Sequence, residues 1–433
     1  MNNYTSERFE SALLGEHYQK IDHPSGLSIY VFPKKMSATY ALFGTKYGSI
    51  NNVFRPFDKD CDVTVPDGIA HFLEHKLFFN EDGSDSFERF TALGADANAY
   101  TTFDKTVYLF SCTHNLDASL EELVTFVTHP YFTDESVKKE IGIIAEEIKM
   151  YEDNPSNRCF YGMLEGMYKS HSVKRNICGS EKSIKQITPE LLYGCYNAFY
   201  RLDNMALVIC GDVDAKSVLR IVDPLLPKSS TGRPTLCINE NEAEEREAYM
   251  PLVEQKMQVA KPLFDIGFKD VDISSDPRQR LKKCITMAII NDVLFAKSGS
   301  LYSSLLDRRL ISPNISCVYN ICHSFAFNNV SGEADDPKLV CEEILKYIDS
   351  VRERGIEIAD FERTKKVMYA EWVMSFDSTE DIANELFNSI CEGSEFFDYA
   401  DVLNEITLED VNELLRHSFD KTTMTLSIIN PLE

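Results

Sequence analysis

Apolar residues recur along this chain at two different spacings, and each spacing predicts a different kind of element. Residues 26–32, 38–47 and 205–210 are apolar runs of strand length, which is typical of β-strands. Residues 116–127 carry apolar positions three and four apart, as on one face of a helix. Strands and helices do not alternate strictly, so the pattern predicts an α+β fold in which mainly antiparallel sheets are packed with helices.

Two parts of the chain end in the same way. Residues 188–211 and 407–430 align without a gap, each with a threonine, an amphipathic helix, an aromatic residue and a strand. The aligned strands superpose Met205, Leu207 and Ile209 on Met424, Leu426 and Ile428. Convergence on a common helix–strand unit would produce a similar pattern, but a duplicated domain explains the gapless match more directly.

A stretch rich in proline, serine and glutamate interrupts the periodicity between these two parts. We therefore predict an N-terminal domain over residues 1–228, a linker over residues 229–250 and a homologous C-terminal domain over residues 251–433. A chain of 433 residues is too long for one hydrophobic core and suits two domains.

The candidate chemistry lies in the motif His-Phe-Leu-Glu-His at residues 71–75. On a helix, His71, Glu74 and His75 project from one face, so two imidazoles can reach one ion at the roughly 2.0–2.1 Å that Zn²⁺ requires. Glu74 lies between them, close enough to hold a water molecule on that ion. The flanking residues are apolar and predict a buried helix: Ile69, Phe72, Leu73 and Leu77. Burying ionisable groups is costly unless they pair or bind a metal.

A third ligand is predicted on the helix that starts near Asp134, which offers Glu140, Glu146 and Glu147. The apolar stripe of this helix recurs at intervals of four and three residues. At about 100° per residue, Glu146 points away from the stripe into water, whereas Glu147 lies about 80° and Glu140 about 60° from its centre. Glu147 and Glu140 both remain candidates, although border residues of any acidic helix would show the same positions.

Composition narrows the classes of partner. The chain is 44% hydrophobic and 26% charged, with a formal net charge of −25, which argues against nucleic acid because phosphates require Lys and Arg. No apolar run approaches the roughly 20 residues of a membrane span, and residues 1–10 contain no signal-peptide core, so no membrane association is predicted. The 12 cysteines include no C-x-x-C pair, which is typical of free thiols in a reducing cytoplasm.

On its H-x-x-E-H motif, the chain resembles the insulinase/pitrilysin family of zinc peptidases, the inverzincins, which includes the β subunit of the mitochondrial processing peptidase. Glu140 and Glu147 match the family's Glu-x(6)-Glu pair. The resemblance implies one Zn²⁺ per chain, with His71, His75 and Glu147 as ligands, Glu74 as general base and Glu140 as support for a ligand. It further implies that the two domains form half of a substrate chamber, with the zinc motif in the first domain only.

The resemblance also covers the stretch from Asn98 to Thr101. In the family this stretch is an edge strand that pairs with the substrate backbone, which implies that Asn98 and Ala99 bind a peptide substrate by strand addition. From the residues alone, Asn98 is also typical of a turn.

The second half departs from the family's pattern. Residues 300–302 match the start of a segment in which active members carry an Arg and, six residues later, a Tyr that stabilise the oxyanion. Here those positions fall on Leu306 and Ser312, so we predict that this chain lacks the pair. Three alternatives lie nearby at the wrong spacing: Arg308, Arg309 and Tyr319. Whether one of them replaces the pair is left open.

These features predict a zinc endopeptidase that hydrolyses peptides or unfolded polypeptide segments, with Glu74 transferring the protons. Some members of the family are heterodimers in which one subunit carries zinc and the other the Arg–Tyr pair. The resemblance therefore implies that this chain is the zinc-bearing subunit of a heterodimer whose homologous partner supplies Arg and Tyr, a homodimer being the alternative. Two rival functions are a non-catalytic scaffold or regulator that retains the zinc site, and a leader peptidase dedicated to one ribosomally made peptide. The natural substrate and cleavage preference are open.

Overall fold

The computed structural model describes residues 4–56, 60–229 and 244–432, together with the backbone of residues 236–237. Its strands are β1 Thr5–Ser11, β2 Glu16–Asp22, β3 Ser28–Pro33, β4 Thr39–Thr45, β5 Val53–Arg55, β6 Val63–Thr64, β7 Asp96–Thr101, β8 Thr106–Cys112, β9 Met205–Gly211, β10 Leu236–Cys237, β11 Leu252–Met257, β12 Leu263–Asp270, β13 Ser316–Ile321, β14 Ala326–Glu333 and β15 Met424–Pro431. Its α-helices are α1 Ile69–Leu77, α2 Ser86–Leu93, α3 Leu116–Thr128, α4 Asp134–Glu152, α5 Pro155–Met167, α6 Glu181–Ile184, α7 Pro189–Phe199, α8 Ala215–Val222, α9 Pro277–Phe295, α10 Ser300–Asp307, α11 Pro337–Arg354, α12 Ile358–Ser375, α13 Thr379–Glu392, α14 Asp398–Glu405 and α15 Leu408–His417.

The chain divides into two compact units, each assembled from three segments. Unit 1 consists of Met1–Ile148, Asn176–Asn239 and Val373–Phe397, and unit 2 consists of Lys149–Arg175, Glu240–Trp372 and Asp398–Glu433. The predicted domains 1–228 and 251–433 are each continuous in sequence, whereas each compact unit combines three separate segments. The two divisions describe different things, and the domain bounds stay a prediction. Most of the predicted linker, residues 229–250, lies outside the described residues.

Unit 1 is built on a seven-stranded sheet with the order β1-β2-β3-β9-β4-β8-β7. Neighbouring strands are antiparallel except for the parallel pair β3 and β9. Helices cover both faces of β4. On one face a Cβ at Gly44 would lie 2.1 Å from the ring of Phe387 in α13, and on the other Thr45 donates a hydrogen bond to the carbonyl of Phe199 in α7. A smaller sheet has the order β10-β5-β6.

Unit 2 is built on a five-stranded sheet with the order β11-β15-β12-β14-β13. In this sheet β15 is parallel to β11 and antiparallel to β12, just as β9 is parallel to β3 and antiparallel to β4. The helices before β9 and β15 both begin at a threonine cap, Thr188 and Thr407 respectively. The two halves are therefore related sheet-and-helix domains, as the alignment of residues 188–211 with 407–430 predicts, and the α+β class is confirmed.

The sheet of unit 2 has one apolar and one partly polar face, as β12 shows. Phe264, Ile266 and Phe268 join the apolar core on one side. The opposite side carries Asp265, Gly267 and Lys269, and it lies under α5 at very close range, because a Cβ at Gly267 would lie 2.6 Å from the side chain of Met163. Burial raises the pKa of Asp265 to about 7, although hydrogen bonds with Cys159 and Asn329 oppose this shift.

A buried ion pair fastens the start of the last described segment to the rest of unit 2. Lys269 has no exposed side-chain surface, and its Nζ lies 3.3 Å from the carboxylate of Glu244. Glu244 also accepts backbone N–H hydrogen bonds from three consecutive residues, at 2.8, 2.9 and 3.0 Å: Lys169, Ser170 and His171. Burial works against the charged form of Glu244, but these donors and Lys269 hold the pKa of this carboxyl below its usual value.

One helical stretch of unit 2, Pro277–Asp307, is long and apolar enough to cross a membrane by length and composition alone. Half of its most apolar part is buried inside the protein, and α9 contributes Ile285, Ile289 and Leu294 to the core of unit 2. Core helices of soluble proteins have the same length and composition, so this stretch is weak grounds for a membrane span.

Candidate metal centre

Helix α1 begins directly after Gly68, whose backbone has a φ of +90°. Such a left-handed conformation favours glycine. Space requires glycine as well, because a Cβ at this residue would lie 2.4 Å from the carbonyl oxygen of Cys178. This close approach brings the segment at Cys178 against the first turn of the helix that carries the histidines.

The surroundings of α1 are those that its sequence predicts. Its apolar residues are at most 2% exposed: Ile69, Phe72, Leu73 and Leu77. His71 and Glu74 are each only 7% exposed, and the ring centroids of His71 and His75 lie 4.6 Å apart. The i, i+4 spacing therefore places two imidazoles side by side on a nearly dry face, where unpaired polar groups are costly.

Both imidazoles face the carboxylate of Glu147, which α4 supplies. Nε2 of His71 lies 3.5 Å from Oε1 of Glu147, and Nε2 of His75 lies 3.5 Å from Oε2. Ligand atoms about 2.1 Å from a tetrahedral ion are separated from each other by about 3.4 Å. The two distances between histidine and carboxylate therefore match the spacing of zinc ligands, and one ligand atom from each of the three side chains lies within 4.8 Å of the others.

The neighbouring contacts also suit a metal ion. Nδ1 of His75 lies 3.2 Å from Oε1 of Glu140, and a carboxylate there keeps the proton on Nδ1 and leaves the lone pair of Nε2 for an ion. Nδ1 of His71 is buried without a hydrogen-bond partner, whereas its Nε2 lies 3.5 Å from Glu147. Glu146 is exposed, whereas Glu140 and Glu147 are partly buried, which confirms the orientation that helix geometry predicts. The residues present fit zinc.

Glu74 is held by a residue of the neighbouring strand β7. The hydroxyl of Thr101 donates a 2.6 Å hydrogen bond to Oε2 of Glu74, which leaves Oε1 for another partner. Burial raises the pKa of Glu74 above its usual value, opposed by the two histidines and Thr101 and assisted by the charge of Glu147. A carboxylate with a raised pKa binds a proton more readily, which suits a general base.

The comparisons with known proteins agree with this geometry. A family model described as insulinase, peptidase family M16, matches residues 64–181, and a model described as the M16 inactive domain matches residues 186–368. Together the two matches span more than half of the chain. The chain belongs to the insulinase family, peptidase family M16.

Relatives within this family cover nearly the whole chain. A Bacillus subtilis protein named "Uncharacterized zinc protease YmfH" is 39% identical over 414 residues, which span 94% of this chain and 95% of YmfH. The crystal structure of an M16-like peptidase from Alicyclobacillus acidocaldarius superposes with a TM-score of 0.90 at 32% identity, covering 99% of each chain. Pitrilysin superposes with a TM-score of 0.75 at 14% identity over 99% of this chain and 47% of pitrilysin, which shows the fold alone.

The structure places Asn98 and Ala99 on β7, the outermost strand of its sheet. On its second edge, β7 pairs with no other strand among the described residues. The backbone N–H of Ala99 donates a 2.9 Å hydrogen bond to the side chain of Asn98. Thr102 donates its N–H to the carbonyl of Lys105 at the end of this hairpin. Since hydrogen-bonded and non-hydrogen-bonded pairs alternate in an antiparallel ladder, the pair of Ala99 and Tyr108 is a non-hydrogen-bonded one, and this N–H faces away from β8. The turn alternative for Asn98 is wrong, since this residue pairs with Leu109 inside the β7–β8 ladder. The substrate-binding role of these two residues stays a prediction.

Sequence reasoning missed three residues of the centre, namely Thr101, Lys76 and Cys178. Lys76 is only 2% exposed and lies 3.8 Å from Oε2 of Glu140; a charged residue within an otherwise apolar helix flank is the signal that could have found it. Cys178 has no such signal. Its Sγ lies 3.9 Å from Nε2 of His71, and burial together with nearby carboxylates raises the pKa of its thiol to about 12.

The structure gives two of the three alternatives for the missing Arg–Tyr pair other partners inside unit 2. Arg308, just after α10, forms an ion pair with Glu343 of α11. Tyr319 on β13 donates a 2.8 Å hydrogen bond to the carboxylate of Asp270. Arg309 has a φ of +57°, so its backbone makes a left-handed turn at the end of α10.

Proposed function

We propose that this chain is a zinc-dependent endopeptidase that hydrolyses peptides or unfolded segments of polypeptide. The observation that carries the proposal is the pair of imidazole Nε2 atoms, each 3.5 Å from one oxygen of Glu147, with buried Glu74 on the same face of α1. In this proposal His71, His75 and Glu147 hold one Zn²⁺ per chain, and Glu140 supports His75. The zinc-protease names of the relatives agree with it.

When bound, zinc supplies Lewis acidity, which lowers the pKa of a water molecule and polarises a carbonyl group. The residues of the chain provide the rest of the chemistry. Glu74 takes a proton from the attacking water through Oε1, and it later delivers that proton to the leaving amine. The hydroxyl of Thr101 holds Oε2 of Glu74, so the free oxygen keeps one direction during both transfers.

The substrate backbone adds to the open edge of β7. An extended peptide can form main-chain hydrogen bonds with an edge strand, and such recognition depends little on side chains. The N–H of Ala99, which does not bond to β8, is a donor on that edge, and Asn98 holds it in the absence of substrate. This mode of binding favours extended segments, so the proposed substrates are peptides and unfolded chains and not folded proteins.

We further infer that the chain works as the zinc-bearing subunit of a heterodimer whose homologous partner supplies an Arg and a Tyr. Leu306 and Ser312 occupy the two positions where active members carry these residues, and neither side chain can stabilise an oxyanion with a charge. Arg308 and Tyr319 already bind Glu343 and Asp270. A homodimer is the alternative. The proposed location is the cytoplasm, because the described cysteines are free thiols and many are buried.

The test is a peptide-turnover assay of the chain alone and with a candidate homologous partner, before and after zinc removal by a chelator. Glu74→Gln should keep stoichiometric zinc and lose at least about 100-fold in turnover, because general acid–base catalysis contributes about 10²–10⁴-fold. Normal cleavage by this variant would contradict the assignment of Glu74. Glu146→Gln is the matched control, since this neighbour of Glu147 is exposed and should retain both zinc and activity.

Other outcomes separate the remaining functions. Full activity of the isolated chain would contradict the need for a partner. Stoichiometric zinc without turnover of any peptide pool, with or without partner, would favour a scaffold or regulator. Cleavage confined to one leader peptide would favour a dedicated maturation peptidase.

A further inference from the structure

Lys76 directly follows His75 in α1, and only 2% of its side chain is exposed. A buried ammonium is costly unless an anion balances it. Nζ of Lys76 forms an ion pair with Glu140, 3.8 Å from Oε2, and lies 4.8 Å from the ring centroid of Phe79. Lys76 is therefore a buried cation at the margin of the metal centre, and the proposed peptide hydrolysis does not use it.

Glu140 lies between Lys76 and His75 and uses a different oxygen for each. Oε2 faces Nζ of Lys76, and Oε1 lies 3.2 Å from Nδ1 of His75. Only 14% of the Glu140 side chain is exposed, so water has little access to it. A carboxylate held at both oxygens keeps one orientation. The Nδ1–H of His75 then keeps its acceptor, and Nε2 stays directed at Glu147.

We propose that Lys76 is a positioning residue of the metal centre, whose ammonium fixes Glu140 so that Glu140 fixes the imidazole of His75. The identity of the ion as zinc rests on the proposed function. Lys76 does not bind the ion, because one residue after His75 its side chain is rotated by about 100° around the helix. Partners that orient a metal ligand are typically worth about 10- to 100-fold in metal affinity.

A purely electrostatic role for Lys76 leads to the opposite expectation. An ammonium near a divalent cation repels it. If Lys76 acted only through its charge, its removal would strengthen zinc binding. If Lys76 acts by holding Glu140, its removal weakens zinc binding. The sign of the change in zinc affinity therefore distinguishes the two roles.

The experiment measures the zinc affinity of the metal-free full-length chain by competition with a chromophoric chelator. Lys76→Met should weaken binding by about 10-fold, Glu140→Gln by about 10- to 100-fold, and Lys76→Arg should remain close to wild type. Because Lys76 acts through Glu140, adding Lys76→Met to Glu140→Gln should weaken binding no further. Unchanged or tighter binding by Lys76→Met, or additive effects in the double variant, would overturn the proposal.

Lys139→Met is the matched control, because this lysine precedes Glu140 and is exposed; its zinc affinity should stay close to that of the wild type. Far-UV circular dichroism checks that each variant is folded. If Lys76→Met does not fold, Lys76→Gln gives the same comparison, in which weaker zinc binding supports the proposal and unchanged binding overturns it. The zinc-affinity measurement contains no peptide and does not depend on turnover. If the wild type binds zinc but cleaves no peptide in the separate turnover assay, that result contradicts the proposed function and leaves the role of Lys76 unaffected.

Discussion

Replacing Thr101 with valine would remove a single hydrogen bond from Glu74 while preserving the shape of the side chain. The hydroxyl of Thr101 lies 2.6 Å from Oε2 of Glu74 and 3.3 Å from the hydroxyl of Thr106. Thr106 donates its own proton to the carbonyl of Tyr47 at 2.9 Å. Thr106 can therefore accept a hydrogen bond from Thr101 but cannot donate one to it. The single proton of Thr101 goes to the carboxylate of Glu74, which when ionised can only accept and lies closer than Thr106. Valine puts a methyl group in place of this hydroxyl.

The size of the effect follows from the nature of this hydrogen bond. A hydrogen bond to a charged group contributes about 1.5–3 kcal/mol, and each 1.36 kcal/mol changes a rate about tenfold. We therefore expect kcat/KM of Thr101→Val to fall by about 10- to 150-fold. The direction of the pH effect is also defined. The hydrogen bond from Thr101 lowers the pKa of Glu74 against the opposing effect of burial, so its loss raises that pKa further.

The assay is the pH dependence of kcat/KM, whose acid limb reports the pKa of the base in the free enzyme. Glu74 must be ionised to accept a proton, so the acid limb of Thr101→Val should move to higher pH. Thr101→Ser keeps the hydroxyl and should restore both the rate and the position of the limb, and zinc content should be equal in all three proteins. An acid limb that does not move, or a serine variant as slow as the valine variant, would refute the reasoning.

Two further predictions concern the stability of unit 2. Glu244→Gln leaves Lys269 buried without its anion, so it should lower the free energy of unfolding by about 3–5 kcal/mol at neutral pH; exposed Glu245→Gln is the control, and equal urea denaturation curves would contradict the expectation. Because the folded pKa of Glu244 is depressed, its stabilisation exists above the unfolded pKa and is lost as pH falls through the folded value. Asp265→Asn should stabilise the unit by on the order of 2–4 kcal/mol at pH above about 7 and hardly at all near pH 4. The pKa of Asp265 is about 7 in the folded protein and lower in the unfolded chain, so ionisation of this carboxyl destabilises the folded state increasingly as pH rises between the two pKa values. The new amide has a possible partner, because Oδ1 of Asn329 is buried without a hydrogen-bond partner and can accept from it. A stability difference that does not depend on pH would argue against this account.

The metal ligands were the part of the site most accessible to prediction, because a regular helix sets the directions of its side chains. In α1 the spacing of His71, Glu74 and His75 was enough to place them on one face. In α4, which is continuous over 19 residues, the same rotation per residue separated exposed Glu146 from Glu147. The choice between Glu147 and Glu140 needed the family resemblance, since both lie at the border of the apolar stripe.

The fold was predictable to a similar degree. The alignment of residues 188–211 with 407–430 predicted the strands β9 and β15, and both take the same place in their sheets, parallel to one neighbour and antiparallel to the other. The composition of the compact units was not predictable in this way. Segment 149–175 groups with unit 2 and segment 373–397 with unit 1, and no local pattern marks a helix for packing on a particular sheet.

The contacts around Glu74 and His75 show which features of the site follow from the sequence alone and which depend on the tertiary structure. Backbone hydrogen bonds make helix and strand geometry local, so residue types and their spacing already contain the metal-binding motif and the outward direction of Glu146. The partners Thr101, Lys76 and Cys178 enter through contacts between different elements, and Cys178 is 107 residues from His71 in the chain. Such contacts depend on how elements pack, through burial, shape and the close approach at Gly68, which no spacing along the chain encodes.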